Sequence, residues 1–239
     1  MFEKLLLNEV NGGQGKNNPV AMLLAMYGKT PGPNDLLEGD VDLGYFGTVS
    51  SEELLNQKDL GFYTGYWGGL FNQPLPIWFK FAYKKKIVYI PKTAIRTHSN
   101  WNELEEKGLI FGNKDTTIFR HLNTLFLTRL INAADETFNQ NSVTSNLSSD
   151  DVFLNSEWGQ LLGRVSSNNT WFHLDDKWLT YSDNDLGFIG NGSRTLTQNT
   201  IVDTTNVLTR GQGAVSNISL LNKNDNFLHH YLTYNFDNH

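Results

Sequence analysis

The chain has 239 residues, of which 39% are hydrophobic and 13% aromatic, and its formal net charge is −6. This composition predicts a folded, β-rich protein of one large or two small domains, with no general electrostatic attraction to nucleic acid. The absence of cysteine excludes disulfides, thiolate nucleophiles and cysteine-bound metal centres.

Residues 1–40 are predicted to form an N-terminal arm. A glycine- and asparagine-rich stretch at 11–15 precedes an apolar stretch at 19–27. Such an arm either packs on a neighbouring subunit or forms a flexible tail, and the sequence leaves both open. The first ten residues have too short an apolar run for a signal peptide, so synthesis in a cytoplasm without an export signal is expected. No segment approaches the length of a membrane span, so no membrane insertion is expected.

The next segment, residues 41–132, is predicted to be a hairpin-rich β domain. Aromatic and β-branched residues alternate from Ile77 to Tyr83, and an apolar run resumes from Ile87 to Ile90. This pattern is typical of two strands joined in a hairpin. The basic turn between them, Lys84 to Lys86, is interpreted as a solvated loop, with contact to phosphate or an anionic glycan as the alternative.

Three further elements are predicted in the same segment. Alternation over residues 40–49 indicates a strand that leads into a capped turn. Ser99 or Asn100 is predicted to cap a short helix after the first hairpin. A second hairpin is predicted over residues 116–131.

Aromatic residues provide the candidate interaction surface. The glycine-rich stretch 62–71 is either a stacking platform for sugars or bases, or a core or subunit-contact segment. A second aromatic group lies in the C-terminal half of the chain. The candidate residues are Phe62, Tyr63, Tyr66, Trp67, Trp171, Trp178 and Tyr181.

The C-terminal half differs in composition. Residues 133–149 are rich in asparagine, serine and threonine, which predicts a loop or linker. Residues 150–239 are predicted to form a loop-rich β or α+β domain, because glycine and asparagine turns separate its short polar strands. Ser156 is predicted to cap a short amphipathic helix there.

Residues able to carry chemistry do not form a recognisable set. The six histidines lack the spacing of a helical metal site, and they are His98, His121, His173, His229, His230 and His239. The acidic clusters lack a complete calcium-loop pattern and are interpreted as turns and a solvated helix face; their members are Asp175, Asp176, Asp183, Asp185, Glu103, Glu105 and Glu106. The sequence therefore predicts no catalytic residue, no metal ligand and no cofactor.

Several stretches carry a resemblance to a known family. They occur in chain order at Leu43–Leu55, Ile77–Lys114, the paired strands through Arg129, Ser156–Val165 and Trp178–Ser193. Together they resemble a widespread group of tailed-bacteriophage virion structural proteins. Similar proteins often close on a strand like that of C-type lectins. Arg210-Gly211 matches the turn before that strand, whereas the final residues here depart from the pattern.

The resemblance implies a virion component in a tail, neck or fibre-attachment position. With the residues themselves, it predicts a mainly β (α+β) fold of antiparallel hairpins and short helices. It also predicts a non-enzymatic structural role in several copies, as a homo-oligomer in contact with other virion proteins. The rival hypothesis is a module that binds a host-surface glycan.

Overall fold

The computed structural model describes residues 30–71, 75–134, 154–167, 177–179, 181–188, 195–200, 206–210, 218–223 and 232–235. The strands in this part of the chain are β1 (Glu38–Gly39), β2 (Leu43–Val49), β3 (Leu70–Phe71), β4 (Trp78–Tyr83), β5 (Lys86–Pro91), β6 (Arg96–Thr97), β7 (Ile118–His121), β8 (Thr124–Leu130), β9 (Thr195–Thr200), β10 (Asn206–Arg210), β11 (Ile218–Asn222) and β12 (Leu232–Asn235). The helices are α1 (Gln57–Thr64), α2 (Trp101–Glu106), α3 (Glu157–Val165) and a 3-10 turn at Asp115–Thr117. The predicted mainly β fold of antiparallel hairpins with short helices is confirmed.

The central sheet has seven strands in the order β1-β2-β4-β5-β12-β8-β7, and its neighbouring strands run antiparallel. Both predicted hairpins lie in it, as β4 with β5 and β7 with β8. The turn of the first hairpin has Lys84 and Lys85 at φ values of 49° and 61°, as a two-residue type I′ turn requires. Their amides donate to the carbonyl oxygens of Asp42 (2.7 Å) and Val41 (3.1 Å). The loop before β2 therefore holds the basic turn in place.

Strand β12 enters the sheet from the far end of the chain. It lies between β5 and β8, where Tyr234 pairs with Tyr89 and Thr233 pairs with Arg129. The segments predicted as 41–132 and 150–239 therefore share one sheet, which composition alone did not predict. Two smaller antiparallel sheets are also present. One has three strands in the order β11-β10-β9, and the other pairs β3 with β6.

Both faces of the central sheet are buried. Along β4, Trp78 and Ala82 belong to one apolar cluster, whereas Phe79 and Phe81 belong to a second cluster on the opposite face. Helix α3 covers the second face with Trp158, Leu161 and Leu162, which are the residues predicted to share its apolar side. Alternate residues of β4 therefore point to two different apolar clusters, and neither face of the strand is solvated.

The predicted helix caps are present. The side chain of Asn100 accepts a hydrogen bond from the Glu103 amide at 2.8 Å and begins α2. The hydroxyl of Ser156 accepts from the Gly159 amide at 3.1 Å and begins α3. Each cap satisfies an amide that has no partner within the first turn of its helix.

The end of the predicted arm packs on the chain's own sheet. Buried Lys80 donates to the carbonyl oxygen of Pro33 at 2.5 Å and to Oδ1 of Asn34 at 3.0 Å. Its cross-strand neighbour Tyr89 donates to the Pro31 carbonyl oxygen at 2.8 Å. These bonds fasten residues 30–34 across the first face, while residues 1–29 of the arm lie outside the described residues.

The burial of Lys80 makes stability depend on pH. Burial lowers the pKa of Lys80 from 10.5 to about 7, against a smaller opposing effect of the Glu53 charge. Between pH 7 and 10 the unfolded chain therefore holds a proton that the native chain has released. The free energy of unfolding is expected to rise with pH over this window, by up to about 1.4 kcal/mol per pH unit.

Urea unfolding of the wild type and of Lys80→Met at a series of pH values from about 6 to 9.5 measures this effect. The Lys80→Met variant should lose the rise, whereas Lys58→Met, at an exposed position on α1, should retain it. Equal slopes in the wild type and Lys80→Met would show that Lys80 does not titrate on unfolding.

Candidate functional site

Exposed apolar side chains gather beside helix α1. Phe62 is 77% exposed, Trp67 is 53% exposed and Leu122, in the turn between β7 and β8, is 58% exposed. The Tyr63 ring lies 5.7 Å from the rings of both Phe62 and His121, and these two residues complete the group. We call these five residues the aromatic surface.

Local sequence signals place α1 where it carries this surface. The Asn56 side chain caps the helix by accepting from the amides of Lys58 (2.9 Å) and Asp59 (3.0 Å). Gly65 ends it in the left-handed conformation, at φ 64°, which glycine adopts without strain. Helix α1 was not predicted from the sequence, although both signals lie at its ends.

Gly61 allows Trp67 to fold back onto α1. A Cβ atom at position 61 would lie 2.9 Å from the Trp67 ring and 3.1 Å from the guanidinium of Arg96. The indole therefore packs directly against the helix backbone at Gly61, the residue before Phe62. A larger residue at position 61 would force the Trp67 ring or the helix backbone to shift.

Stacked rings support the aromatic surface from beneath. Tyr63 stacks on Phe119 with centroids 4.5 Å apart and planes 10° apart, and Phe119 stacks on Phe126 at 5.4 Å and 8°. Phe126 belongs to the first apolar cluster of the sheet. The ring stack thus anchors the surface in the core.

The hairpin tip is joined to α1 by a polar contact. The Tyr63 hydroxyl and Nδ1 of His121 lie 3.1 Å apart, within hydrogen-bonding distance. Burial lowers the pKa of His121 below its usual 6.5, which favours the neutral imidazole. The contact with Tyr63 holds the hairpin tip, with Leu122, beside α1.

The other predicted aromatic residues lie elsewhere. Tyr66 is buried, and its hydroxyl donates to a Glu103 carboxylate oxygen at 3.2 Å; burial raises its pKa to about 12. Trp178 stacks on Tyr45 at 6.3 Å in the cluster on the opposite face of the sheet. Tyr181 packs against the same cluster.

Trp171 lies outside the described residues. The structure thus brings together Phe62, Tyr63 and Trp67 of the seven candidates, and adds His121 and Leu122. Leu122 directly follows a β-strand in a turn with positive φ. An apolar residue at the tip of a predicted hairpin is the sequence signal that marks Leu122.

The acidic candidates that the structure describes lie in a turn and on an exposed helix face, as predicted. Oδ2 of Asp185 accepts from the amide (3.0 Å) and the hydroxyl (2.6 Å) of Ser182, and these hydrogen bonds lower the pKa of its carboxyl. Glu103, Glu105 and Glu106 are exposed on α2. Among the described residues, no group of three or more His, Asp or Glu side chains is placed to hold a metal ion. Some candidates lie outside the described residues: Asp175, Asp176, His173, His229, His230 and His239.

A cavity of about 210 Å³ lies at the turn of the first hairpin. Lys84 and Lys86 line it from the turn, and Arg129 lines it from β8. The Arg129 guanidinium binds both carboxylate oxygens of Glu157, at 2.6 and 2.7 Å. Glu157 is only 3% exposed, so this ion pair forms a buried wall of the cavity. The basic turn is evident in the sequence, whereas Arg129 and Glu157 reach the same cavity only through the tertiary fold.

No family model, curated protein or solved structure matches this chain. The resemblance to phage virion proteins therefore remains an expectation from the sequence. Within the described ranges, no helix has the length and apolar character needed to cross a membrane.

Proposed function

We propose that this chain is a structural component of a tailed-bacteriophage particle, present in several copies in the tail, neck or fibre-attachment region. The observation that carries the proposal is the aromatic surface, which offers a contact site for another virion protein. The ordered resemblance of several stretches to phage virion proteins supports the same role.

The composition of the aromatic surface favours a protein partner. Large exposed aromatic and aliphatic side chains that lie together mark interaction sites, and tryptophan and tyrosine are common among the residues that dominate binding energy. Phe62 lies on the capped helix α1, and the Trp67 ring packs back against Gly61 of the same helix. A surface carried on a regular helix needs little backbone rearrangement to bind, which limits the entropy cost of binding.

The contacts of the C-terminal aromatic residues weigh against glycan stacking at that place. Trp178 packs against Tyr45 and Phe81, and Tyr181 packs against Phe79. Rings committed to the core of the sheet offer less of their faces to a sugar. The assembly role therefore has the stronger support from these residues.

Mass spectrometry of purified particles of the encoding phage tests the proposal. The chain is expected in the particle at a fixed copy number relative to the major structural proteins. Its absence from particles, while it is abundant in the infected cell, would refute the proposed role.

The aromatic surface also makes an assembly prediction. Supplied in trans to a phage lacking the native gene, Phe62→Ala/Trp67→Ala is expected to enter particles at least about tenfold less than wild type, since each aromatic hot spot typically contributes 2 kcal/mol or more. The matched control is Leu37→Ala, which removes a 63% exposed side chain outside the surface. Quantitative mass spectrometry of the particles provides the measurement.

Wild-type incorporation of the double variant would contradict the assigned contact. Equal losses for the double variant and Leu37→Ala would also contradict it, because the effect would then not be specific to the aromatic surface.

A further inference from the structure

Residues 30–34, which we call the strap, lie across the first face of the central sheet and contact the amine of Lys80. The Lys80 Nζ donates to the Pro33 carbonyl oxygen at 2.5 Å and to Oδ1 of Asn34 at 3.0 Å. The hydroxyl of buried Thr30 donates to the same Asn34 oxygen at 3.3 Å. Because the Lys80 side chain is fully buried, its amine becomes hydrated only when the residues around it move.

The strap is held mainly by side chains of the sheet. It belongs to no helix or strand, and its two proline residues have no backbone N–H to donate. The Tyr89 hydroxyl donates to the Pro31 carbonyl oxygen at 2.8 Å, and a Cβ atom at position 32 would clash with the Val49 side chain. A short segment without a backbone ladder opens more easily than the strands beneath it.

The protonation state of Lys80 decides how well the closed strap fits. A neutral amine has two N–H donors, which match the two acceptors of the strap, whereas an ammonium brings a third donor and a full charge into the same buried place. Burial lowers the pKa of Lys80 to about 7, and the ordinary value is 10.5. An amine released into water regains that ordinary value, so protonation favours the open strap.

The other groups around the amine act more weakly or not at all. The Glu53 carboxylate, after β2, raises the pKa of Lys80, but burial has the larger effect. The Phe46 ring on β2 has its centroid 5.1 Å from Nζ and also favours the cation. Tyr89, opposite Lys80 on β5, stays neutral because burial raises the pKa of its hydroxyl.

We propose that residues 30–34 are a proton-controlled strap, closed over Lys80 while the amine is neutral and opened locally when the amine takes up a proton. Opening transfers one proton from solvent to Nζ and leaves the sheet folded. Because five extended residues span about 17 Å, an open strap lengthens the connection between residues 1–29 and the sheet by up to that distance. This inference does not depend on the assembly role proposed above.

Labelling of single introduced cysteines with a thiol reagent tests the strap, because the chain has no cysteine of its own. Thr30→Cys reports opening of the strap. Glu105→Cys, exposed on α2, reports the intrinsic reactivity of a thiol at each pH. Ala82→Cys, fully buried on β4, reports unfolding of the sheet.

The labelling rate at position 30, divided by that at position 105, is expected to rise at least about tenfold from pH 9 to pH 7. Position 82 should react at least about tenfold more slowly than position 30 throughout this range, because the strap opens without unfolding of the sheet.

Three substitutions in the Thr30→Cys chain assign the effect. Lys80→Met should hold the rate ratio constant within about twofold between pH 9 and pH 7, whereas Lys58→Met, at an exposed position on α1, should retain the rise. Glu53→Gln removes the charge that raises the pKa of Lys80, so the rise should move to lower pH. This third variant keeps the buried amine and tests the strap even where Lys80→Met does not fold.

Several results would overturn the inference. Equal labelling rates at positions 30 and 82 would mean that the strap opens only when the whole sheet unfolds. A rate ratio that stays constant or falls from pH 9 to pH 7 would remove the proton from the mechanism. An undiminished rise in folded Lys80→Met would assign the proton to another group.

Discussion

Replacing Glu157 with alanine is expected to lower the free energy of unfolding by about 3–5 kcal/mol. The Arg129 side chain is 13% exposed and binds both oxygens of this carboxylate. Without Glu157, the guanidinium loses both of these charge-assisted hydrogen bonds in a largely dehydrated position, and the Asn132 amide loses its acceptor. Urea unfolding followed by tryptophan fluorescence measures the loss.

Two further variants separate the ion pair from other causes. Arg129→Met/Glu157→Leu should be clearly more stable than Glu157→Ala, because it removes both charges and keeps the volume filled. Glu105→Ala, at an exposed position on α2, should change stability by no more than about 0.5 kcal/mol. A Glu157→Ala variant as stable as wild type would contradict the description of the pair as buried and mutually dependent.

Replacing Trp78 with alanine is expected to cost about 3–5 kcal/mol of folding stability. Its ring is fully buried in a central strand, and its indole nitrogen donates to the Leu55 carbonyl oxygen at 2.9 Å. The substitution leaves a cavity within the first apolar cluster and removes the donor from a buried acceptor. Both effects lower the free energy of unfolding.

Trp67→Ala removes the same side chain from the aromatic surface and is the matched control. It should cost about 1 kcal/mol or less, because the Trp67 ring is half exposed. Chemical unfolding of both variants provides the comparison. A loss for Trp67→Ala as large as that for Trp78→Ala would mean that Trp67 serves stability, and the assembly prediction would lose its basis.

Local patterns predicted the hairpins and two of the helices because the determining interactions lie close in sequence. Alternation from Ile77 to Tyr83 was sufficient for β4, and Ser156 and Asn100 each cap a helix through an amide three residues later. Helix α1 was missed since Gly61 and the aromatic residues obscure its pattern. Its capping signals were more informative than its periodicity.

Long-range features were beyond the sequence reasoning. The insertion of β12 between β5 and β8 depends on pairing across most of the chain. The burial of Lys80 depends on Pro33 and Asn34, more than forty residues away. In a strand with alternating polarity, a lysine is ordinarily expected on the solvated face. Here residues 33 and 34 of the N-terminal arm supply the hydrogen-bond acceptors of the buried Lys80.

The candidate site was predicted in part for a related reason. Sequence alone gives Trp67 and Trp178 the same weight, because both lie in aromatic stretches. Trp67 is exposed because it folds back on Gly61, whereas Trp178 stacks on Tyr45. Tertiary packing determines where each aromatic segment lies, and therefore whether its rings are exposed or buried.

Cryo-electron microscopy of the intact particle tests the central proposal most directly. We expect density for the seven-stranded sheet in repeated copies, with Phe62, Trp67 and Leu122 buried against a neighbouring virion protein. A particle map in which every component is assigned and this chain is absent would contradict the proposal. A map in which the chain is present but its aromatic surface faces solvent would contradict the proposed contact.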